Sequence, residues 1–227
     1  MPGSENEPAA PGARVLVWDL PVRLGHWLNA ALVAACYLSA RLTTMIWHEW
    51  LGGAVLALVI FRLFWGVWGS ESARFRTFLA PPRLAWQHLR RLFQREPDHW
   101  AGHNPAGGWM VLLLLLLLLG ETMSGLYVNN DVANESSLTE IVPAGLSNAI
   151  TAAHVVLWWT LAGAVGVHVA VIILYAVFKR QDLVGPMLSG MKTLAAPCPR
   201  PRPAPIRRAA LLLLLSLAMS LALAWVV

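Results

Sequence analysis

The sequence predicts an all-α integral membrane helical bundle. Two observations lead there. Of its 227 residues, 57% are hydrophobic and only 13% are charged, against roughly 45–50% and about 25% in soluble domains. The apolar excess also falls in blocks near the length of about 20 residues that a helix needs to cross a bilayer.

Five such blocks predict five spans, at about 24–42, 50–68, 109–127, 152–178 and 209–227. The third contains an unbroken leucine run from Leu112 to Leu119. Residues 1–13 read as a polar, disordered N-terminus without an apolar core, so no cleavable signal peptide is expected there. Residues 14–192 form the main membrane domain, and 193–208 a basic, Pro-rich linker before the last span.

The net charge of +5 does not indicate a nucleic-acid binder, because the basic residues flank apolar blocks. Arg74, Arg76, Arg83, Arg90, Arg91 and Arg95 lie between the second and third spans. Lys179, Arg180, Lys192, Arg200, Arg202, Arg207 and Arg208 lie between the fourth and fifth. The segment from Val128 to Thr151 has no Lys or Arg and carries Asp131, Glu135 and Glu140. Positively charged loops stay in the cytoplasm. The N-terminus is therefore expected inside and the C-terminus outside, as five spans require. Tryptophans fall near both expected boundaries: Trp27, Trp65, Trp68 and Trp109 inside, and Trp47, Trp50, Trp158 and Trp225 outside.

Three local features have simple readings. Leu84 to Phe93 has apolar residues at helical spacing among arginines, which predicts an interfacial helix. Asn104-Pro105 predicts an N-cap followed by proline at the first helical position. Cys36 and Cys198 make no disulfide framework, and no CxxCH motif offers covalent haem attachment.

Four of the seven histidines, His26, His48, His154 and His168, belong to predicted spans or their ends. Ionisable groups are expensive there and mark function by default, the bland alternative being hydrogen bonding between helices. His154 and His168 are fourteen residues apart, close to four helical turns, so they share a face at a separation of roughly 21 Å. His26 falls at the inner end of the first span and His48 at the outer end of the second. This gives two pairs at matched depths, His26 with His168 and His48 with His154. Each pair can supply two axial ligands to one haem iron, a saturated coordination suited to electron exchange. A zinc site needs three or four ligands together, which two separated pairs do not offer.

Buried charges extend this reading. Arg62 within the second span and Arg41 at the end of the first are candidates for pairing with haem propionates, against snorkelling to the interface. Glu121 in the third span is a candidate proton relay to a quinone, or a hydrogen-bonded packing residue. Tyr127 and the outer tryptophans line a quinone pocket or an aromatic belt.

Together these residues resemble the bacterial cytochrome b561 family, which also includes the cytochrome b subunit of nickel–iron hydrogenases. The resemblance rests on Val17-Trp18-Asp19-Leu20-Pro21 with His26-Trp27, on Phe61-Arg62-Leu63-Phe64-Trp65-Gly66, on Gly102-His103-Asn104-Pro105-Ala106-Gly107-Gly108, and on Gly185 to Lys192. It covers roughly Arg14 to Lys192. It implies a four-helix haem-binding core with two non-covalent haems b, quinone as redox partner, and axial ligands at His26, His48, His154 and His168. His103 lies in a family-like motif without being an expected ligand, and is a candidate for a quinone or haem edge or a helix cap. The fifth, C-terminal transmembrane helix departs from a four-helix core. Its Ser216 and Ser220 suit packing on another helix, or it is a passive anchor.

The expectation is thus an electron-transfer subunit in a bacterial inner membrane. It joins a periplasmic-side redox protein (a hydrogenase, a dehydrogenase or a cytochrome c) to the quinone pool. Two rivals are a stand-alone quinone-linked oxidoreductase of a small one-electron substrate such as superoxide, and a haem-free membrane scaffold.

Overall fold

A computed structural model describes residues 12–96, 98, 100–128, 143–194 and 200–225. The expectations for the N-terminal segment before Gly12, for Asp131, Glu135 and Glu140, and for Cys198 lie outside the described residues, as does the side chain of Trp225. The chain is mostly helical. A short strand β1 (Arg14–Leu16) leads into α1 (Leu20–Arg41) and α2 (Met45–Trp68). A 3-10 turn (Glu71–Ala73), α3 (Phe75–Phe78) and α4 (Pro82–Arg90) precede α5 (Pro105–Gly125). Then come α6 (Ala144–Leu174), continued by a π-helical turn (Tyr175–Lys179), α7 (Val184–Ser189), β2 (Met191–Thr193) and α8 (Ile206–Trp225).

Among the described residues, four helices are long and apolar enough to cross a membrane by length and composition: α2, α5, α6 with its π turn, and α8. The helix expected for the first span is α1. Its 22 residues are enough for a bilayer at 1.5 Å per residue. Arg23, His26, Asn29 and Arg41 lower its hydropathy, and it is not among those four.

The chain forms two compact units. The first is Met1–Leu24, Phe64–Leu112 and Val167–Ala209. The second is Gly25–Leu63, Leu113–Gly166 and Ala210–Val227.

The first unit gathers the short elements. Strands β1 and β2 pair antiparallel, Val15 opposite Lys192. The ribbon runs on through Gly190, whose carbonyl accepts from the amides of Val17 at 2.9 Å and Trp18 at 3.2 Å. Gly190 has φ +83°, and a Cβ there would lie 2.7 Å from the Trp18 carbonyl oxygen, so only glycine suits the position. Asp19 then caps α1. Its Oδ1 accepts from the Val22 amide at 2.8 Å, and its Oδ2 accepts from the indole N–H of Trp65 at 2.9 Å. Asn104 caps α5 as expected, Oδ1 accepting from the Gly107 amide at 2.7 Å, with Pro105 at the first helical position. The Pro-rich linker is more than a spacer. The Glu71 amide donates to the Arg202 carbonyl at 3.1 Å, the Arg202 amide donates to Glu71 Oε2 at 2.9 Å, and the Ala204 amide donates to Ser70 Oγ at 2.8 Å.

In the second unit a short turn reverses the chain between α1 and α2. Thr43 takes φ 56°, and the Thr44 amide donates to the Ser39 carbonyl at 3.0 Å. The two helices form an αα-hairpin. The fifth helix also packs here. Ser216 is fully buried, and Ser220 Oγ donates to the Gly53 carbonyl at 2.7 Å, as small residues at a helix contact permit.

Candidate functional site

The second unit brings His48 and His154 together. The α1–α2 turn puts His48 in the first turn of α2, beside Cys36 on α1. His154 sits on one stripe of α6 with Ser147, Leu161, His168 and Tyr175, each seven residues from the next. Ser147, Leu161 and Tyr175 are buried, and the two histidines are half-buried. Seven residues are nearly two turns, so one face of α6 is turned inward along its length and both imidazoles lie on it.

The His48 and His154 rings are 6.4 Å apart between centroids and stand at 86°. His48 Nδ1 is 2.9 Å from the Cys36 carbonyl oxygen. His154 Nδ1 is 3.0 Å from the Glu121 carbonyl oxygen, and Ser124 Oγ is also 3.0 Å away. A carbonyl only accepts, so each Nδ1 carries the hydrogen and each Nε2 keeps its lone pair. This is the tautomer that a metal-bound histidine uses, held by a backbone bond behind the ring. Gly125 closes against His154, since a Cβ at 125 would lie 3.2 Å from Cε1. The Sγ of Cys36 lies 3.5 Å from His48 Nδ1. Glu121 Oε1 is 3.4 Å from His154 Nε2, longer than a good direct hydrogen bond. Tyr37 and Trp158 stack at 4.9 Å between α1 and α6.

These residues fit a bis-imidazole metal centre. An imidazole bonds a transition metal at about 2.0 Å. Adding the ring radius on each side puts two rings on opposite sides of one ion about 6 Å apart between centroids, and the His48 and His154 rings are 6.4 Å apart.

The other expected residues are placed as follows. His26 is half-buried on α1 in the second unit, with Trp27 edge-on at 5.1 Å. His168 is half-buried on α6 in the first unit. Arg62 is half-buried within α2, and Arg41 is exposed at the end of α1. His103 is held between Trp18 at 4.5 Å and Phe78 at 4.6 Å, centroid to centroid. Tyr127 uses its carbonyl to accept from Ser147 Oγ at 3.2 Å, tying the ends of α5 and α6.

Sequence reasoning missed Cys36 and Ser124 behind the imidazoles, and a polar cluster in the first unit. There Tyr175 receives a bond from Asn104 Nδ2 at 2.9 Å and bonds His88 Nε2 at 2.6 Å. Lys192 pairs with Asp98 at 2.5 Å. A cavity of about 50 Å³ between them has room for a few waters. Burial, with Lys179 nearby, holds the His88 imidazole below its usual pKa. One signal was available: Tyr175 continues the seven-residue stripe of His154 and His168.

A mostly helical chain with candidate membrane spans and an inward imidazole pair on facing helices has features that a membrane haem protein requires. The comparison with known proteins narrows this. Residues 17–190 match the family described as prokaryotic cytochrome b561, and the chain belongs to that family. A protein of Azotobacter vinelandii named "Probable Ni/Fe-hydrogenase B-type cytochrome subunit" is 25% identical, over 84% of this chain and 93% of its own length. Proteins of the same name from Rhizobium leguminosarum bv. viciae and Rhodobacter capsulatus are 25% and 24% identical. They cover 82% and 79% of this chain, and 92% and 81% of their own lengths. No solved structure matches the chain significantly. A b-type cytochrome holds haem b.

Proposed function

We propose that the chain is the membrane electron-transfer subunit of a respiratory oxidoreductase, holding two haems b and passing electrons between a periplasmic-side partner and the quinone pool. The relatives' shared name favours a nickel–iron hydrogenase as that partner. The observation that carries the reading is the perpendicular His48–His154 pair at 6.4 Å, each ring fixed from behind by a backbone carbonyl.

His48 and His154 would hold the outer haem, and His26 and His168 the inner one. The second pair rests on sequence spacing: His168 follows His154 by fourteen residues, close to four helical turns, and His26 falls at the expected inner end of the first span. A haem with two imidazoles has no open position and supplies one-electron exchange. The protein's own part is to hold four imidazoles as neutral Nε2 donors and to keep water from them. Arg62 and Arg41 neutralise propionates. Glu121, beside His154, is the candidate to hand protons between a quinone and the outer face. His103, packed between two rings, stiffens the inner end and borders the inner quinone or haem edge.

The chain sits in the inner membrane with α1, α2, α5 and α6 as the haem-binding core and α8 as a fifth span. The arginine-rich segments face the cytoplasm by the positive-inside rule. That sets the N-terminus inside and the C-terminus outside.

The test is a reduced-minus-oxidised absorption spectrum of the purified full chain, with a pyridine haemochrome count. Two haems per chain, one being lost in His154→Ala and in His48→Ala, is the expected result. One haem removes the transmembrane relay. No haem in a preparation grown with ample haem overturns the reading.

A further inference from the structure

The outward side of α4 has no role in the electron path, and its chemistry is specific. Ala85 is buried and His88 bonds Tyr175, so these two turn inward. Trp86 is 57% exposed and Phe93 67% exposed, with Leu89 between them on the opposite side. Phe93, just past the end of α4, meets Phe178 edge-on at 5.5 Å, and Phe178 lies in the π-helical turn that continues α6. The exposed apolar side chains Trp86 and Leu89 on α4 and Phe93 just beyond it thus lead to Phe178 in the turn that follows the candidate span α6.

The strip is edged by cations. The Arg90 guanidinium stands 5.3 Å over the Trp86 ring. Nearby acids are already engaged. Glu96 pairs with Arg91 at 3.4 Å, Asp98 with Lys192, and Asp182 Oδ1 accepts from the amides of Val184 and Gly185. Arg76, Arg83, Arg90 and Arg180 are left without a carboxylate partner among the described residues. Aromatic rings at the depth of the acyl boundary with free guanidinium groups beside them are what an anionic phospholipid needs: a surface for its chain and donors for its phosphodiester.

We propose that α4, with Arg180 at the end of α6, is a binding site for anionic phospholipid of the chain's own bilayer. Trp86, Leu89 and Phe93 seat the acyl chain, and Arg83, Arg90 and Arg180 bind the headgroup. The proposal rests on the chain's being a membrane protein and is independent of the haem reading.

Each arginine near an anionic surface contributes about fivefold in affinity, the equivalent of about 1 kcal/mol. The experiment is binding of a fluorescent phosphatidylglycerol, and of the matching phosphatidylcholine, to the purified full chain in a neutral detergent. Three variants accompany the wild type: the triple Arg83→Gln/Arg90→Gln/Arg180→Gln, Trp86→Ala, and Arg14→Gln as a control elsewhere on the unit. A single symmetric elution peak and an unchanged thermal midpoint establish that each variant is folded.

The expected result is preference for phosphatidylglycerol in the wild type and in Arg14→Gln. The triple variant should lose that preference by on the order of a hundredfold. Trp86→Ala should weaken both lipids alike. Equal binding of the two lipids by the wild type overturns the proposal. So does a triple variant that keeps the preference. Full competition by millimolar inorganic phosphate also overturns it, because it would mean a free-anion site rather than a lipid site.

Discussion

The carboxylate of Asp19 joins the start of α1 to the end of α2 by accepting the indole N–H of Trp65 at 2.9 Å. Its other oxygen caps α1 through the Val22 amide at 2.8 Å. Asp19 is buried and Trp65 fully so. Both oxygens are used, so Asp19→Ala removes a cap and strands a buried indole N–H. The expected cost is about 2–4 kcal/mol. Asp19→Asn keeps one acceptor and should cost less. Thermal unfolding of the purified variants checks this ordering, and an Asn variant as unstable as the Ala variant would refute it.

Two glycines in the same unit separate side-chain from backbone crowding. A Cβ at Gly66 would lie 2.1 Å from the Phe75 ring, and one at Gly108 would lie 2.7 Å from the Phe78 carbonyl oxygen. Both alanine variants are expected to lose about 1–3 kcal/mol as overpacked sites do. Gly66→Ala should be partly rescued by Phe75→Leu, which retracts the clashing ring. No side-chain change retracts a carbonyl, so Phe78→Leu should not rescue Gly108→Ala. Unfolding midpoints of the four variants and two doubles decide it.

His88 gives the stability a pH dependence. Its folded pKa is lowered below the usual 6.5 by burial, and by Lys179, against opposing pulls from Glu96 and Asp98. The neutral imidazole is thus the form the fold favours. The stability it contributes is complete above about pH 6.5 and is lost as pH falls through the lower folded pKa. The wild type should lose midpoint temperature below pH 6.5, and His88→Gln should lose less. Parallel curves for the two proteins would place the acid sensitivity elsewhere.

Behind the imidazoles, the two histidines should respond differently from their supports. His154→Ala removes the proposed ligand nitrogen, and the haem of that pair should be absent from the haemochrome count. Ser124→Ala removes one partner of His154 Nδ1 and leaves the Glu121 carbonyl at 3.0 Å. Changes behind a ligand ring cost roughly 10–100-fold in metal affinity, and with one support left the loss should sit at the low end. Haem retention during dilution measures both. Haem retention in His154→Ala equal to wild type would remove His154 from the ligand set.

The long helices were legible because a bilayer forces long apolar runs, and the sequence also pointed to His48 and His154, whose rings lie 6.4 Å apart. The starts were less so. Hydropathy puts the second, third and fourth spans at residues 50, 109 and 152, whereas the helices begin at Met45, Pro105 and Ala144. Hydropathy registers the hydrocarbon, but hydrogen bonding carries a helix on into polar surroundings until a cap such as Asn104 stops it. The β1–β2 ribbon was not legible, because three-residue strands separated by the whole membrane domain carry no periodicity. The same holds for Ser124, which matters only through where α6 places His154. His103 was read from its motif as a site residue, and its motif position could not reveal the Trp18 and Phe78 rings that enclose it.

The fifth helix offers a test of whether α8 is a packed part of the bundle or only an anchor. Ser216 is fully buried, and Ser220 Oγ donates to the Gly53 carbonyl at 2.7 Å. A single interhelical hydrogen bond in a membrane is worth about 0.6 kcal/mol on average, so Ser220→Ala should be nearly silent. Ser216→Leu forces a larger side chain into a filled contact and should cost about 1–3 kcal/mol. Gly53→Ala is the internal control. Its Cβ would meet only Ser220 Oγ, at 4.0 Å, an ordinary contact, so it should be tolerated. The order to look for in unfolding midpoints is Gly53→Ala and Ser220→Ala close to wild type, with Ser216→Leu well below. If Ser216→Leu unfolds with the wild type, the contact contributes nothing and α8 acts as an anchor alone.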